Sequence, residues 1–151
     1  MPAAKWRANR DLLWRGDSGI GVACPHPGAN PSIVRHVLYL DGPGRETPYS
    51  STTESRQTAE VFAGNDGREW STTVGVAKSE GVEHIDRREL LRLLRGHGQG
   101  DANWPNPYEV LQARRYVELW QEHLLDFRPL RDQPPAEVAG TVQRVFQRGT
   151  R

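Results

Sequence analysis

A single cysteine, Cys24, stands in 151 residues, so no internal disulfide framework can form, and an isolated thiol does not meet the ligand clustering of a zinc site. A reducing cytoplasm is the expected setting. Long apolar runs are also missing: nowhere do ~18 apolar residues follow one another. The opening stretch MPAAKWRANRDLLW carries charges where a secretion signal would be hydrophobic. The sequence therefore predicts neither a membrane span nor a signal peptide, and leaves open delivery into a target-cell cytoplasm by another route. An excess of one charge is absent as well: 20 Lys+Arg against 19 Asp+Glu give a net charge of +1. No global field draws in nucleic acid or an acidic membrane, so any such binding has to be local. Lys5 and Lys78 are the only lysines, a bias that GC-rich coding explains.

Several catalytic signatures are lacking too. Gly16, Gly19 and Gly21 make a glycine-dense turn without the Walker spacing or a following amphipathic helix. Gly16-Asp17-Ser18-Gly19 falls one spacer short of a nucleophile elbow. His84, His97 and His123 are too scattered, and too poor in neighbouring acids, to predict a metal site.

What is present predicts one domain over residues 1–151, with a core over about 11–128 and a peripheral helix or tail over 129–151. Asp11 to Arg15 reads as a first strand. Ser32 can cap a segment, Ile33 to Leu40, whose periodicity fits a short helix or a strand. Tyr49 to Thr53 is an extended run of four hydroxyl residues after an aromatic. A helix capped by Thr53 follows, with Ala59, Phe62 and Ala63 on its apolar side and Gly64 as its stop. Trp70 to Ala77 alternates as a strand, and Gly81 to Ile85 forms another. Asp86 caps a helix through Leu94, with Glu89 three residues on. Residues 96–107 read as a loop. Val110, Ala113, Val117, Trp120, Leu124 and Phe127 then recur at helical steps behind Asn106 as cap and Pro107 as first residue, which predicts one long helix. The rival parsing makes Tyr108 to Leu111 a strand and starts the helix near Ala113. A weaker helix is expected over Glu137 to Phe146.

Three of these stretches carry a family resemblance. Leu13-Trp14-Arg15-Gly16-Asp17 closes a strand on an arginine, Ser50-Ser51-Thr52-Thr53 leads into the helix ending Phe62-Ala63, and Glu109-Val110-Leu111 follows in order. The series resembles the arginine, Ser-Thr-Ser, glutamate motifs of the mono-ADP-ribosyltransferase superfamily, especially compact bacterial toxin domains. His36-Val37 and Thr47-Pro48-Tyr49-Ser50-Ser51-Thr52-Thr53 also resemble the "HV … SPYISTT" passages of such domains. The resemblance covers about Leu12 to Leu111. It implies an α+β fold with a small, split, mainly antiparallel sheet and surrounding helices.

It also implies a chemistry. Cleavage of the nicotinamide glycosidic bond of NAD develops positive charge on the ribose, which a carboxylate stabilises. The resemblance gives that role to Glu109, with Glu118 as the second candidate, and puts Arg15 and Ser51 beside it. Arg15 would hold the dinucleotide from the rigid end of a strand. Gly16, Tyr49, Ser51, Thr52 and Trp70 would complete the NAD site: Ser51 ordering it, Thr52 bracing the strand, Tyr49 or Trp70 stacking on nicotinamide. The family's glutamate usually opens a strand, whereas Glu109 runs into the helix-like Gln112-Ala113-Arg114-Arg115. As an acid two places after Pro107, Glu109 also fits an ordinary helix start. Likewise Arg15 can be an ion-pair partner of Asp17.

The expected function is transfer of ADP-ribose from NAD to a macromolecular acceptor, with NAD hydrolysis as a side reaction, in a toxin or effector that a cognate immunity protein or antitoxin would oppose. Two alternatives stand beside it. One is a catalytically inactive relative that binds NAD or a partner. The other is an interaction module of immunity or antitoxin type, built on the Val110 to Phe127 helix and exposing Trp120 or Leu124.

Overall fold

The hydroxyl-rich run is the strand around which the sheet is ordered. The computed structural model describes residues 5–17, 21–38, 46–94 and 106–148. Among them the strands are β1 (Leu13–Asp17), β2 (Tyr49–Thr53), β3 (Arg68–Thr72), β4 (Glu83–Ile85), β5 (Glu122–Asp126) and the two-residue β6 (Gln147–Arg148). They form an antiparallel sheet in the order β4-β5-β2-β1-β3-β6. The helices are α1 (Ile33–Val37), α2 (Arg56–Ala63), α3 (Val74–Ser79), α4 (Arg87–Leu93), α5 (Pro107–Leu119) and α6 (Pro135–Val145). The class is α+β, and no described helix is long and apolar enough to cross a membrane.

The sheet is nearly divided in two. β1 and β3 share five register pairs, as do β2 and β5, but β1 meets β2 at Trp14↔Thr53 alone. Away from that pair the two central strands part, and each leaves backbone groups that need another partner. Two cores lie on the sheet. Leu13, Val82, Leu125 and Phe127 pack with α3 and α6 in one. Leu124 packs with α1, α4 and α5 in the other. Leu124 and Leu125 thus serve opposite faces, as successive strand residues must.

Capping settles several boundaries differently from the sequence pattern. The first strand runs from Leu13 to Asp17 rather than from Asp11 to Arg15: Gly16 and Asp17 stay paired with β3, so Arg15 lies mid-strand and not at its end. Ser55, not Thr53, caps α2: its hydroxyl accepts from Thr58 N, while Thr53 Oγ1 donates to Trp120 O. Gly64 ends the helix with φ of 70°, where a Cβ is disfavoured. The strand expected over Trp70 to Ala77 stops at Thr72, because Thr73 accepts from Val76 N and starts α3. There capping overrides the β propensity of Val74 and Val76. Ser32 caps α1 and Asp86 caps α4, accepting from Arg35 N and Glu89 N.

The long helix through Phe127 is the largest correction. Asn106 caps α5 and Pro107 opens it, but the helix ends at Leu119, and Gln121 turns the chain with φ of 49°. Leu124 and Phe127 then reach the core from or beside β5, so their helical spacing is coincidental. The rival strand at Tyr108 to Leu111 is helix as well. The C-terminal segment is not peripheral: Val138, Val142, Val145 and Phe146 are buried in the same core as Leu13, and β6 pairs with β3. His97 and most of the 96–107 loop lie outside the described residues.

Candidate functional site

The gap between the half-sheets is spanned by one guanidinium. Arg15 Nη1 donates to the backbone carbonyl of Ser51 at 3.0 Å, supplying the donor that a continuous β1–β2 ladder would have given. The same group forks onto Asp17, Nε to Oδ2 at 2.8 Å and Nη2 to Oδ1 at 3.0 Å. Both side chains are largely buried, 15% and 11% exposed. Such a fork fixes the guanidinium plane as well as its charge. The ion pair with Asp17 and a site role for Arg15 are therefore compatible.

Across β2, Ser51 Oγ donates to Glu122 Oε2 at 2.9 Å. His36 Nε2 lies 2.6 Å from the same hydroxyl, and its Nδ1 is 2.8 Å from Thr47 Oγ1. Ser51 has one proton, and a carboxylate can only accept. With that proton on Glu122, His36 Nε2 carries the hydrogen toward Ser51. The chain Thr47, His36, Ser51, Glu122 is thus a directed series ending on a carboxylate only 5% exposed.

Local structure aims that carboxylate. Gln121 in the left-handed region reverses the chain out of α5, and Glu54 N donates to Gln121 O at 3.1 Å. Thr53 Oγ1 holds Trp120 O at 2.5 Å, and Thr52 Oγ1 holds His123 O at 3.0 Å. These bonds pin Glu122 to the start of β5, on the face it shares with Ser51.

A small cleft, open to solvent, lies over this group. Trp14, Arg15, Gly16, Ser51, Thr52, Thr53, Ala59, Phe62, Trp120 and Glu122 line it. Trp120 stacks on Tyr116 at 4.6 Å, and the Phe62 ring meets it edge-on at 5.0 Å, giving the cleft an aromatic wall suited to a flat ring. Gly16 lets α2 approach: a Cβ there would stand 1.8 Å from Ala59 O. The arrangement pairs a fixed cation with a shielded carboxylate, a polar floor with an aromatic wall.

Of the residues singled out in the sequence, Arg15, Gly16, Ser51 and Thr52 meet here. Tyr49 does not line the cleft; its ring packs in the core beside His36 and its hydroxyl donates to Pro31 O. Trp70 faces the opposite core, on a cavity with Val22 and Phe146. Glu109 lies in the first turn of α5, roughly 16 Å along the helix from Trp120. Glu118 is exposed on the same helix and is not in the cleft wall. The acid at the cleft is Glu122. The 3.6-residue pattern runs a helix through it; the signal in the sequence is an acid two residues ahead of the apolar Leu124-Leu125 pair. His36, which the sequence offers only within the His36-Val37 phrase, acquires its role from Ser51 and Thr47. Of the two residues an interaction module was expected to expose, Leu124 is fully buried and Trp120 is half-buried in the cleft wall.

Compared with protein-family models, with curated proteins and with solved structures, the chain matches none.

Proposed function

We propose that this chain is an NAD-dependent mono-ADP-ribosyltransferase whose working residues are Arg15, Ser51 and Glu122. The observation that carries the reading is their convergence: an arginine, a serine 36 residues on and a glutamate 71 residues beyond that are joined by two hydrogen bonds at the gap of a divided sheet. The order and residue types are those of the resemblance, and Glu122 opens a strand as the family's glutamate usually does. The third motif thereby loses the irregularity it had at Glu109, which removes the ground for preferring an inactive relative.

In this reading Arg15 binds the anionic part of NAD with the N–H groups left over from Asp17 and Ser51. Glu122 stabilises the positive charge that develops on the nicotinamide ribose as the glycosidic bond lengthens, its burial strengthening that effect. Ser51 holds the carboxylate in place, and His36 holds Ser51. Trp120 and Phe62, in contact with each other, form the wall against which the flat ring packs, in place of the Tyr49 and Trp70 expected from the sequence. The acceptor is a macromolecule, and the toxin or effector setting, with an immunity partner, rests on the resemblance.

The test is incubation of folded protein with NAD labelled separately in nicotinamide and in adenine, with and without cell lysate as acceptor. Release of nicotinamide, and adenine label appearing on macromolecules, are expected. A folded preparation that yields neither overturns the proposal.

A further inference from the structure

Behind Glu122 the sheet carries a second polar cluster that the cleft does not use. His123 follows Glu122 on β5, so its side chain leaves the opposite face, where it is 2% exposed. Its Nε2 is 2.8 Å from Glu54 Oε2, and its Nδ1 is 2.8 Å from His84 Nε2 on β4. Arg87 Nε stands 3.4 Å from the same Glu54 oxygen. The Trp6 indole lies against the pair, its centroid 4.5 Å from the His123 ring and 6.0 Å from that of His84. The indole N–H is tied back to Leu12 O at 3.0 Å.

The proton inventory of this chain is fixed by its acceptor end. A carboxylate accepts, so His123 Nε2 carries the hydrogen that bonds Glu54. In the neutral ring Nδ1 is then a lone pair, and His84 Nε2 supplies the hydrogen between the two rings. A proton added to His123 sets N–H against N–H at 2.8 Å unless His84 changes tautomer, and a second added proton places two cations in contact. Asp86 and the cation of Lys78 face His84, while Glu54, Asp86 and Arg87 face His123. Burial outweighs the acids: it is the main cause pushing His84 down to about 4, and it also lowers His123.

We propose that the His84–His123–Glu54 chain is an acid-operated latch, which when neutral fastens the Trp6 segment and edge strand β4 to the strand bearing Glu122, and which opens on protonation. The link to the cleft is short. Glu54 also supplies the backbone N–H that holds Gln121 O, so the residue at the end of the latch fixes the turn that aims Glu122. The latch does not depend on what the cleft binds.

The sign follows from the direction of the shifts. Folding favours the neutral rings, so their stabilising contribution is complete above the unfolded histidine value of about 6.5. It is lost as pH falls from there through the lowered folded values, about 4 for His84.

The test is an NMR titration of the full chain from neutral pH downward, following the His84 and His123 rings, the Trp6 indole N–H and the Gln121 and Glu122 amides. Both rings are expected to titrate below an ordinary histidine, His84 toward about 4, with the Trp6 and Glu122 signals moving at the same midpoint. His84→Gln keeps a donor for His123 without a titrating group, and should displace that midpoint by about a unit or abolish the coupled movement. Rings that titrate near the ordinary value, Trp6 and Glu122 signals that stay still while the rings titrate, or a midpoint unmoved in His84→Gln would each overturn the latch. The wild-type titration decides alone if the variant does not fold.

Discussion

Ser51 Oγ donates to Glu122 Oε2 at 2.9 Å although the register sets Ser51 opposite Leu124 and Thr53 opposite Glu122. The contact is a diagonal one on a single face, two residues apart along β5. A one-residue slip of β5 would send the carboxylate to the other face. The hydroxyl bonds of Thr52 and Thr53 to the β5 side oppose that slip, so the Ser/Thr run sets the geometry of the acid as well as lining the cleft.

Arg15→Lys separates charge from geometry. A lysine ammonium is a point donor and cannot fork onto Asp17 while also reaching the Ser51 carbonyl. NAD affinity should fall at least about tenfold, or ~1.4 kcal/mol, in a protein that still folds. Calorimetric titration checks this, and unchanged affinity would mean that positive charge alone suffices.

Gly16→Ala attacks the cleft wall through packing. The added methyl meets Ala59 O at 1.8 Å and Ala63 N at 2.7 Å, both backbone atoms that cannot swing aside. α2 must then move away from β1, at a cost of about 1–3 kcal/mol or more. Chemical denaturation should show a lower midpoint with an unchanged slope. A midpoint equal to wild type would contradict the close approach.

Leu119 and Leu124 test the turn at Gln121. Leu124 is fully buried and Leu119 is 69% exposed. Leu124→Ala should cost about 2–5 kcal/mol, while Leu119→Ala should stay within about 0.5 kcal/mol. Similar losses at the two positions, measured by denaturant unfolding, would contradict a helix that ends between them.

The contrast at that turn explains how far the sequence could be read. Helix starts were legible where a side chain closes the first turn: Ser32, Asp86 and Asn106 all cap as their positions suggest. Ser51 was legible because a hydroxyl run is a local pattern; Arg15 was legible as a residue of the first strand, although it sits in the middle of β1 and not at its end. Glu122 was not, since β5 is buried on both faces and shows no alternation, and its leucines continued the spacing of α5 by chance. Gln121, whose positive φ ends the pattern, is not a residue that announces a turn. Thr73 misled in the opposite direction, because a cap embedded in a run of β-branched residues looks like strand. His36 and His123 acquire meaning only from partners 15 and 69 residues away.

The central claim is that the acid of this cleft is Glu122. Nicotinamide release from labelled NAD, measured side by side for wild type, Glu122→Ala and Glu109→Ala, tests it most directly. Loss of at least about a hundredfold in Glu122→Ala, with Glu109→Ala close to wild type, is the predicted result. Full activity in a folded Glu122→Ala, or its loss in Glu109→Ala alone, would contradict it.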